Sequence, residues 1–435
     1  MNICMVGTGY VGLVAGACLS DFGMNVICVD KEKDKIDRLN NGDIPIYEIG
    51  LREIIERNVK LGRLHFSTDL KKAVDRCLVI FLAVGTPENP DGSADLTAIR
   101  DVTKQVAECM TEYKIIAIKS TVPVGTAREL KELIRKNISK ETDFDVVSNP
   151  EFLRQGAAVE DFLRPNRIIL GCDSERALAI IRDIYRPLYL LDTPIISTTN
   201  ETAEIIKYAA NTMLALKISF INEIANLCDV VSADVYQVAK ALGMDKRIGP
   251  KFLHPGPGFG GSCFPKDIKS LIYLADNLDY DFKLAQAVVE VNRRQKEQVV
   301  EKCRKALGQL SGKKICLLGL SFKPNTDDIR EAPAIYVAHR LIEEGAEISA
   351  YDPAAMEPAG KELPDINYRN NSYSACKNTD MIIIMTEWNE FRDLQFEKII
   401  YENKKPIIYD TRNIYDGNKV KKMGFEYICT GRVNR

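Results

Sequence analysis

The chain has no surplus of positive charge. Its 59 Lys and Arg face 61 Asp and Glu, for a formal net charge of −2. That balance offers nothing to neutralise a phosphate backbone and argues against a nucleic-acid partner, though local basic pockets stay available. Histidine is scarce: His65, His254 and His339 are too dispersed to ligate a metal and are expected to be structural or at the surface. The twelve cysteines stand singly, without any Cys-x-x-Cys pair or metal-ligand spacing, so no metal is expected. Long apolar runs are missing too. Residues 78–84 and 381–385 are strand-sized and far too short for a bilayer. The chain opens on Met1-Asn2-Ile3-Cys4-Met5-Val6-Gly7, with no basic segment, apolar core or cleavage site of an export signal. The expectation is a cytoplasmic protein without membrane contact, in which eleven of the twelve cysteines are free buried thiols.

What is present is a long, ordinary globular composition. With 435 residues, 46% of them hydrophobic, the chain has material for about three domains and a sizeable core. Residues 2–6, 25–30, 77–84, 115–119 and 145–148 read as buried parallel strands. Segments 12–22, 51–60 and 96–110 carry helical spacing between them. Such alternation predicts a doubly wound α/β domain over residues 1–198. Residues 201–230 and 282–307 then form long helical segments, interrupted by a Gly- and Pro-rich stretch at 249–261 that is either a linker or a binding loop. This zone, residues 199–310, reads as a central helical domain. Over 311–435 the α/β pattern restarts, with strands at 314–318, 347–352, 381–385 and 406–410 and a helix at 332–344. The fold class is therefore α/β: two Rossmann-like, doubly wound domains joined by a helical middle.

Gly7-Thr8-Gly9-Tyr10-Val11-Gly12 fits the G-x-G-x-x-G pattern in a strand–turn–helix context, and Asp30 ends the next strand eighteen positions after Gly12. The glycines allow a tight turn and let backbone N–H groups approach a pyrophosphate at the helix N-terminus. Asp30 would accept from the ribose hydroxyls and repel a 2′-phosphate, which favours NAD over NADP; Lys31, Lys33 and Lys35 soften that preference. The corresponding turn after 314–318, Gly319-Leu320-Ser321-Phe322-Lys323, lacks the later glycines and is not expected to hold a dinucleotide. Val84-Gly85-Thr86-Pro87 and Ser120-Thr121-Val122-Pro123 fall at strand ends that would edge the same cleft, or are ordinary turns.

One cysteine differs in setting from the others. Cys263 lies in Gly258-Phe259-Gly260-Gly261-Ser262-Cys263-Phe264-Pro265-Lys266-Asp267, where the glycines would clear a substrate's approach and Pro265 starts a helix. A thiol at a helix N-terminus beside Lys266 favours the thiolate; the rival is a buried Cys in a Gly-rich turn. Oxidising an alcohol to an aldehyde needs no nucleophile, whereas a thiolate lets the oxidation continue through a thiohemiacetal and thioester to the acid. NAD with a thiolate thus points to four-electron oxidation. Lys207 and Asn211 share a helix face, as oxyanion donors or as a common surface pair. Glu151, in Asn149-Pro150-Glu151-Phe152, could activate water, orient a sugar or merely cap the next helix.

Taken together, Gly7 to Gly12, Asn149 to Arg154, Lys207 with Asn211, Gly258 to Asp267 and Ser321 to Pro333 resemble, in order and spacing, the UDP-glucose/GDP-mannose dehydrogenase family over nearly the whole chain. Within it, the Cys263 decapeptide looks most like the branch that oxidises UDP-glucose. The resemblance implies four-electron oxidation of UDP-glucose to UDP-glucuronate with two NAD and one water, with Cys263 as nucleophile. Lys207, Asn211 and Asp267 would handle the oxyanion and protons or an ordered water, helped by Thr121 and Glu151. It implies NAD contacts from Gly7, Gly9, Tyr10, Val11, Gly12, Asp30, Lys35, Thr86, Thr121, Lys266 and Arg330. The nucleotide sugar would meet Glu151, Phe152, Leu153, Arg154, Lys207, Asn211, Phe252, Leu253, Gly256, Gly260, Lys323 and Arg412. Arg247 is similar to a family arginine that reaches the neighbouring subunit's sugar nucleotide. Two departures stand out: Gln155 replaces a frequent Glu and cannot be a base, and Thr411 replaces a usual Gly beside Arg412. Rival readings are GDP-mannose oxidation, a two-electron hydroxyacid dehydrogenase with no need of Cys263, and a silent nucleotide-sugar-binding protein. Long amphipathic helices in the middle predict at least a homodimer.

Overall fold

Short runs such as Ile-Cys-Met-Val and Ile-Ile-Ala-Ile are apolar on both faces, so they satisfy their backbone and bury themselves only inside a sheet covered on both sides. The computed structural model, which describes residues 1–139, 142–402 and 407–432, contains two such sheets. The chain divides into two compact units, Met1–Ala210 and Asn211–Arg435.

In the first unit, β1 (Asn2–Val6), β2 (Asn25–Val29), β3 (Leu64–Ser67), β4 (Val79–Leu82), β5 (Lys114–Ile118), β6 (Phe144–Ser148), β7 (Ile168–Gly171) and β8 (Ile195–Thr198) form one sheet, ordered β3-β2-β1-β4-β5-β6-β7-β8. All neighbours are parallel except β6 and β7, which meet antiparallel at Ser148 and Gly171. Strand order reverses between β1 and β4, and ligands of open sheets settle at such a switch point, beyond the strands' carboxyl ends. Strands β3, β7 and β8 escape the sequence pattern. Each has four residues, and β3 and β8 are only partly buried, so no continuous apolar run marks them.

A 32-residue helix, Asn200–Val231, begins in this unit and continues into the second. There it is followed by helices Val235–Met244, Phe264–Asp276 and Lys283–Leu307. The second sheet then repeats the first six positions of the first. β9 (Lys314–Leu318), β10 (Glu347–Tyr351), β11 (Asn367–Tyr368), β12 (Met381–Ile384), β13 (Ile407–Asp410) and β14 (Glu426–Cys429) are ordered β11-β10-β9-β12-β13-β14, all parallel. Pro406, expected to open β13, lies outside the described residues.

The two sheets differ at the turn after their first strand. At the end of β10, Asp352 is 1% exposed. Its Oδ2 accepts from the amides of Leu320 (2.7 Å) and Ser321 (3.0 Å), from the Ser321 hydroxyl (3.0 Å) and from Trp388 Nε1 (3.1 Å). Its Oδ1 accepts from Ala354 and Ala355, both at 2.8 Å. The protein uses this carboxylate for its own turn, which leaves no acceptor for a ribose. Asp352→Ala strands several buried donors and is expected to cost on the order of 3 kcal/mol. Thermal unfolding should show a midpoint several degrees lower, while an NAD fluorescence titration stays as in the parent.

Candidate active site

The first glycine turn is built by close approach. Gly7 has φ +98°, and a Cβ there would stand 2.7 Å from the Ala83 carbonyl oxygen; one on Gly12 would stand 1.9 Å from that of Gly7. These two glycines serve the turn. Gly9 and Gly85 are different: a Cβ on either would meet no atom within 4 Å beyond its chain neighbours. Both border a cleft of about 310 Å³ that Asp30, Lys35, Thr68 and Gln105 also line. The room beside Gly9 and Gly85 suits a dinucleotide's diphosphate, and Asp30 suits its ribose.

Asp30 keeps the charge this needs. Burial pushes its carboxyl up, but the Thr8 amide and hydroxyl, the Glu32 amide and Lys35 outweigh that and hold it below the usual range. Thr8 donates at 2.9 Å from its amide and 2.7 Å from its hydroxyl. Lys35 lies 3.1 Å from Asp30, and Lys33 pairs with Asp37. Two of the three lysines that weaken the case against a 2′-phosphate are therefore engaged with carboxylates. Tyr10 turns its hydroxyl to Glu48, and Val11 packs against the core.

The two strand-end motifs are tied together. Thr86 Oγ1 donates to the Thr121 carbonyl (2.8 Å), and Ser120 Oγ to that of Val84 (2.6 Å). After β6, Glu151 does not cap the next helix. Its Oε1 accepts from Lys207 Nζ at 2.9 Å and its Oε2 from the Leu153 amide, with both charged side chains buried. Lys207 also stands 5.3 Å from the Phe152 ring, whose face Arg167 covers at 3.6 Å. Arg154 is paired with Asp161 at 2.6 Å. The cap belongs to Glu48, which accepts from the amides of Gly156 (2.7 Å) and Ala158 (2.8 Å) and so joins the loop after Glu151 to Tyr10 of the glycine turn. Glu48 carries no sequence signal beyond its Tyr-Glu-Ile-Gly setting; only the fold brings it there.

In the second unit, Cys263 is the N-cap of the helix Phe264–Asp276, with Pro265 in its first turn. It is exposed, whereas ten of the other cysteines are buried and Cys109 is half-buried. Burial pushes thiols such as Cys28 up to about 12 and makes them inert. Arg330 is held above its ordinary value by Asp328 first, with the nearby Cys263 adding to it; that proximity in turn favours the thiolate. Asp267, one turn into the helix and 1% exposed, accepts from Asn211 Nδ2 at 2.7 Å. Lys266 Nζ lies 2.8 Å from Asp267 Oδ1, off the hydrogen-bond direction, so the pair is ionic and both buried atoms keep directional capacity for a bound group.

The glycines before Cys263 have a reason other than substrate access. A Cβ on Gly258 would be 2.8 Å from Asn292 Oδ1, one on Gly260 2.3 Å from the Glu331 carbonyl oxygen, and one on Gly261 2.8 Å from the Phe322 ring. The loop lies backbone-first against its neighbours. Asn292 grips Phe259 through its amide (2.8 Å) and carbonyl (3.0 Å); Asn222 and Gln295 hold Gly256 the same way, each at 2.8 Å. Sequence reading misses these three amides as well as Glu48, and polar positions on otherwise apolar helix faces are the amides' one signal. Phe252 adopts φ +66°, a left-handed conformation rare for a bulky residue, and packs on Phe264 beside the thiol. Leu253 is buried in the helical core. Arg412 donates to the carbonyls of Met385 (2.8 Å) and Phe322 (3.4 Å) and closes on Gly256, where a Cβ would be 3.1 Å from its guanidinium. Lys323 reaches over the Phe322 ring at 5.5 Å. Gly256 and Arg412 are thus neighbours, and Lys323 stands beside Phe322, whose carbonyl Arg412 meets. Arg247 is not among them; its exposed guanidinium pairs with Asp245. Among the described residues no group of three or more His, Cys, Asp or Glu could hold a metal.

The comparisons extend over the same elements. Residues 1–189, 201–294 and 316–417 match the NAD binding, central and UDP binding domains of the UDP-glucose/GDP-mannose dehydrogenase family. A UDP-glucose 6-dehydrogenase of Rhizobium meliloti is 48% identical, over 99% of this chain and 100% of its own. The UDP-glucose 6-dehydrogenase TuaD of Bacillus subtilis is 44% identical, over 99% of this chain and 93% of its own. Among solved structures, a UDP-glucose dehydrogenase of Pyrobaculum islandicum superposes with a TM-score of 0.92 at 36% identity, covering 98% of this chain and 96% of that one. With an ionised Asp30 at an open glycine cleft, a capped and exposed Cys263, and likeness along the full length, the chain belongs to the UDP-glucose/GDP-mannose dehydrogenase family.

Proposed function

We infer that this protein is a UDP-glucose 6-dehydrogenase, which oxidises the C6 alcohol of UDP-glucose to the carboxylate of UDP-glucuronate. The observation that carries the reading is the exposed Cys263 at a helix N-terminus, one turn from the buried Asn211–Asp267 pair. NAD, when bound, supplies the hydride acceptor for both oxidations. Lys207, its ammonium oriented by Glu151, donates to the C6 oxygen and stabilises the alkoxide, while the alcohol's proton leaves to an ordered water held by Asp267. The Cys263 thiolate then adds to the C6 aldehyde, the carbonyl electron pair moving onto oxygen, to give a thiohemiacetal. Loss of the second hydride converts this to a thioester. Water adds to the thioester carbonyl, the C–S bond breaks with its electrons on sulfur, and the carboxylate is freed. Asn211 and Asp267 hold the oxyanion and the water, with Thr121 and Glu151 assisting.

Lys323 and Arg412 around Gly256 supply charge-assisted bonds to the substrate's diphosphate, with Phe152 to Arg154, Phe252, Leu253 and Gly260 enclosing the nucleotide sugar. Lys266 and Arg330, which flank Cys263, are the second-unit residues we assign to the cofactor. By function we divide the chain into a cofactor part (1–198), a central helical part with the Cys263 loop (199–310) and a nucleotide-sugar part (311–435).

We also assign a homodimer. Met213, Phe220 and Leu227 recur every seven residues along the helix Asn200–Val231 and stand 56%, 51% and 55% exposed, with Val230 at 82%. That is a stripe needing a partner face, and Arg247 would serve the neighbouring subunit. Among the described residues no helix is long and apolar enough to cross a membrane, and we place the enzyme in the cytoplasm.

Three outcomes are expected. Purified protein should form two NADH per UDP-glucose; one NADH with released aldehyde would refute the thioester route, and turnover of GDP-mannose alone would overturn the substrate. Cys263→Ala should lower kcat by about a thousandfold or more, whereas unchanged turnover would mean a two-electron dehydrogenase. Sedimentation should give a dimer that Phe220→Glu dissociates, and a monomeric parent would refute the interface.

A further inference from the structure

Glu204 is one of the most buried carboxylates in the first unit, 3% exposed, and no step of the reaction uses it. It stands in the first turns of the helix Asn200–Val231, three residues before Lys207 and so on the same face. Its Oε2 accepts from the Gly125 amide at 2.7 Å and its Oε1 from the Ala127 amide at 2.8 Å, with Ser148 Oγ at 3.5 Å. Those amides open the helix Thr126–Asn137, whose N-cap, Gly125, has no capping side chain of its own. The cap comes from 79 residues away.

A local Ser or Thr could cap the helix without burying a charge. What the distant carboxylate does in addition is join two segments. The loop from Ser120 to Gly125 carries Thr121; its start is fastened by Ser120 to the Val84 carbonyl and by Thr86 to the Thr121 carbonyl. Glu204 fastens its other end. On the helix side, Asn200 receives the Ser148 amide at 2.9 Å, and Lys207 meets Glu151 at 2.9 Å. One face of one helix therefore docks three times: on the end of β6 through Asn200, on the Thr121 loop through Glu204, and on the Glu151 loop through Lys207. Burial pushes the Glu204 carboxyl up to about 7 despite the amides it binds, a cost that marks the group as retained for more than packing.

We propose that Glu204 is a positioning residue, whose buried carboxylate holds the Thr121 loop in fixed register with Lys207. The proposal rests on the reading of Thr121 and Lys207 as parts of the oxidation site. Its removal leaves Lys207 and Thr121 chemically intact and misplaces one against the other. The fault should therefore appear in kcat, with KM for either substrate little changed.

The test compares Glu204→Gln, Thr121→Ala and the double variant in the full-length protein. Gln keeps the volume but presents its carboxamide NH2, itself a donor, to one of the two N–H donors. Glu204→Gln is expected to lower kcat on the order of a hundredfold, to change both KM values less than about twofold, and to leave the double variant no slower than Thr121→Ala alone. Multiplying losses would overturn the proposal, as would a fully active Thr121→Ala. Glu204→Asp controls for folding: if activity in the two variants merely follows their thermal midpoints, Glu204 is structural and the proposal fails. Amide exchange gives a readout independent of turnover. Faster exchange at Gly125 and Ala127 in Glu204→Gln, with the core of β5 unchanged, supports the clamp, and unchanged exchange there refutes it. If the parent does not oxidise UDP-glucose at all, the functional reading falls alone and the exchange result still decides the clamp.

Discussion

The loop before Cys263 runs closer to its surroundings than any side chain would allow, and the reactive end of the second unit depends on that closeness. Backbone meets the Glu331 carbonyl at Gly260, the Phe322 ring at Gly261 and the Asn292 amide at Gly258, distances at which even a methyl group would collide. Contact of this kind replaces loop entropy with rigid placement. It delivers the thiol to the N-cap of the helix Phe264–Asp276, where the helix dipole and Arg330 favour the thiolate. The same segments that are pressed together, around Phe322 and Gly256, bring Lys323 and Arg412 alongside. One packing constraint thus places both the Cys263 thiol and the cations Lys323 and Arg412.

Around this backbone scaffold, the chain places charge where water cannot reach it and pairs each charge through a different element. Glu151 with Lys207, Asp267 with Asn211, Glu48 with the amides of Gly156 and Ala158, and Glu204 with those of Gly125 and Ala127 all link segments far apart in sequence. A buried carboxylate without partners would be costly, so each of these contacts is strongly directional. The result is loops whose ends are fixed by helices rather than left to their own turns.

The two sheets show one topology put to two uses. Both run in the order of a doubly wound nucleotide fold, and both carry Asp at the end of the second strand. Asp30 keeps an edge on an open cleft, whereas Asp352 is enclosed by Trp388 and its own turn. Fold alone would not separate them; the difference lies in which donors reach the carboxylate first.

The architecture was legible in the sequence because it rests on local periodicity. Apolar runs placed the strands Asn2–Val6 and Lys314–Leu318, helical spacing placed Leu51–Lys60 and the two long helices, and the glycine turn with Asp30 marked the cofactor cleft. Cys263 at a helix start was readable too, since Pro265 and the glycines are neighbours in sequence. The strands β3, β7 and β8 were not, because these short segments are stabilised by their sheet neighbours rather than by a pattern of their own. Nor were Glu48, Glu204, Asn222, Asn292 and Gln295. Each acts on backbone groups more than thirty residues away, and no spacing records which amides a side chain will meet. Sequence alone determined the order of elements and the chemistry that the chain carries. Tertiary structure decided which carboxylates face solvent, which are spent on holding loops, and why the glycines beside the thiol can be nothing else, because those outcomes depend on distances between segments that only folding sets.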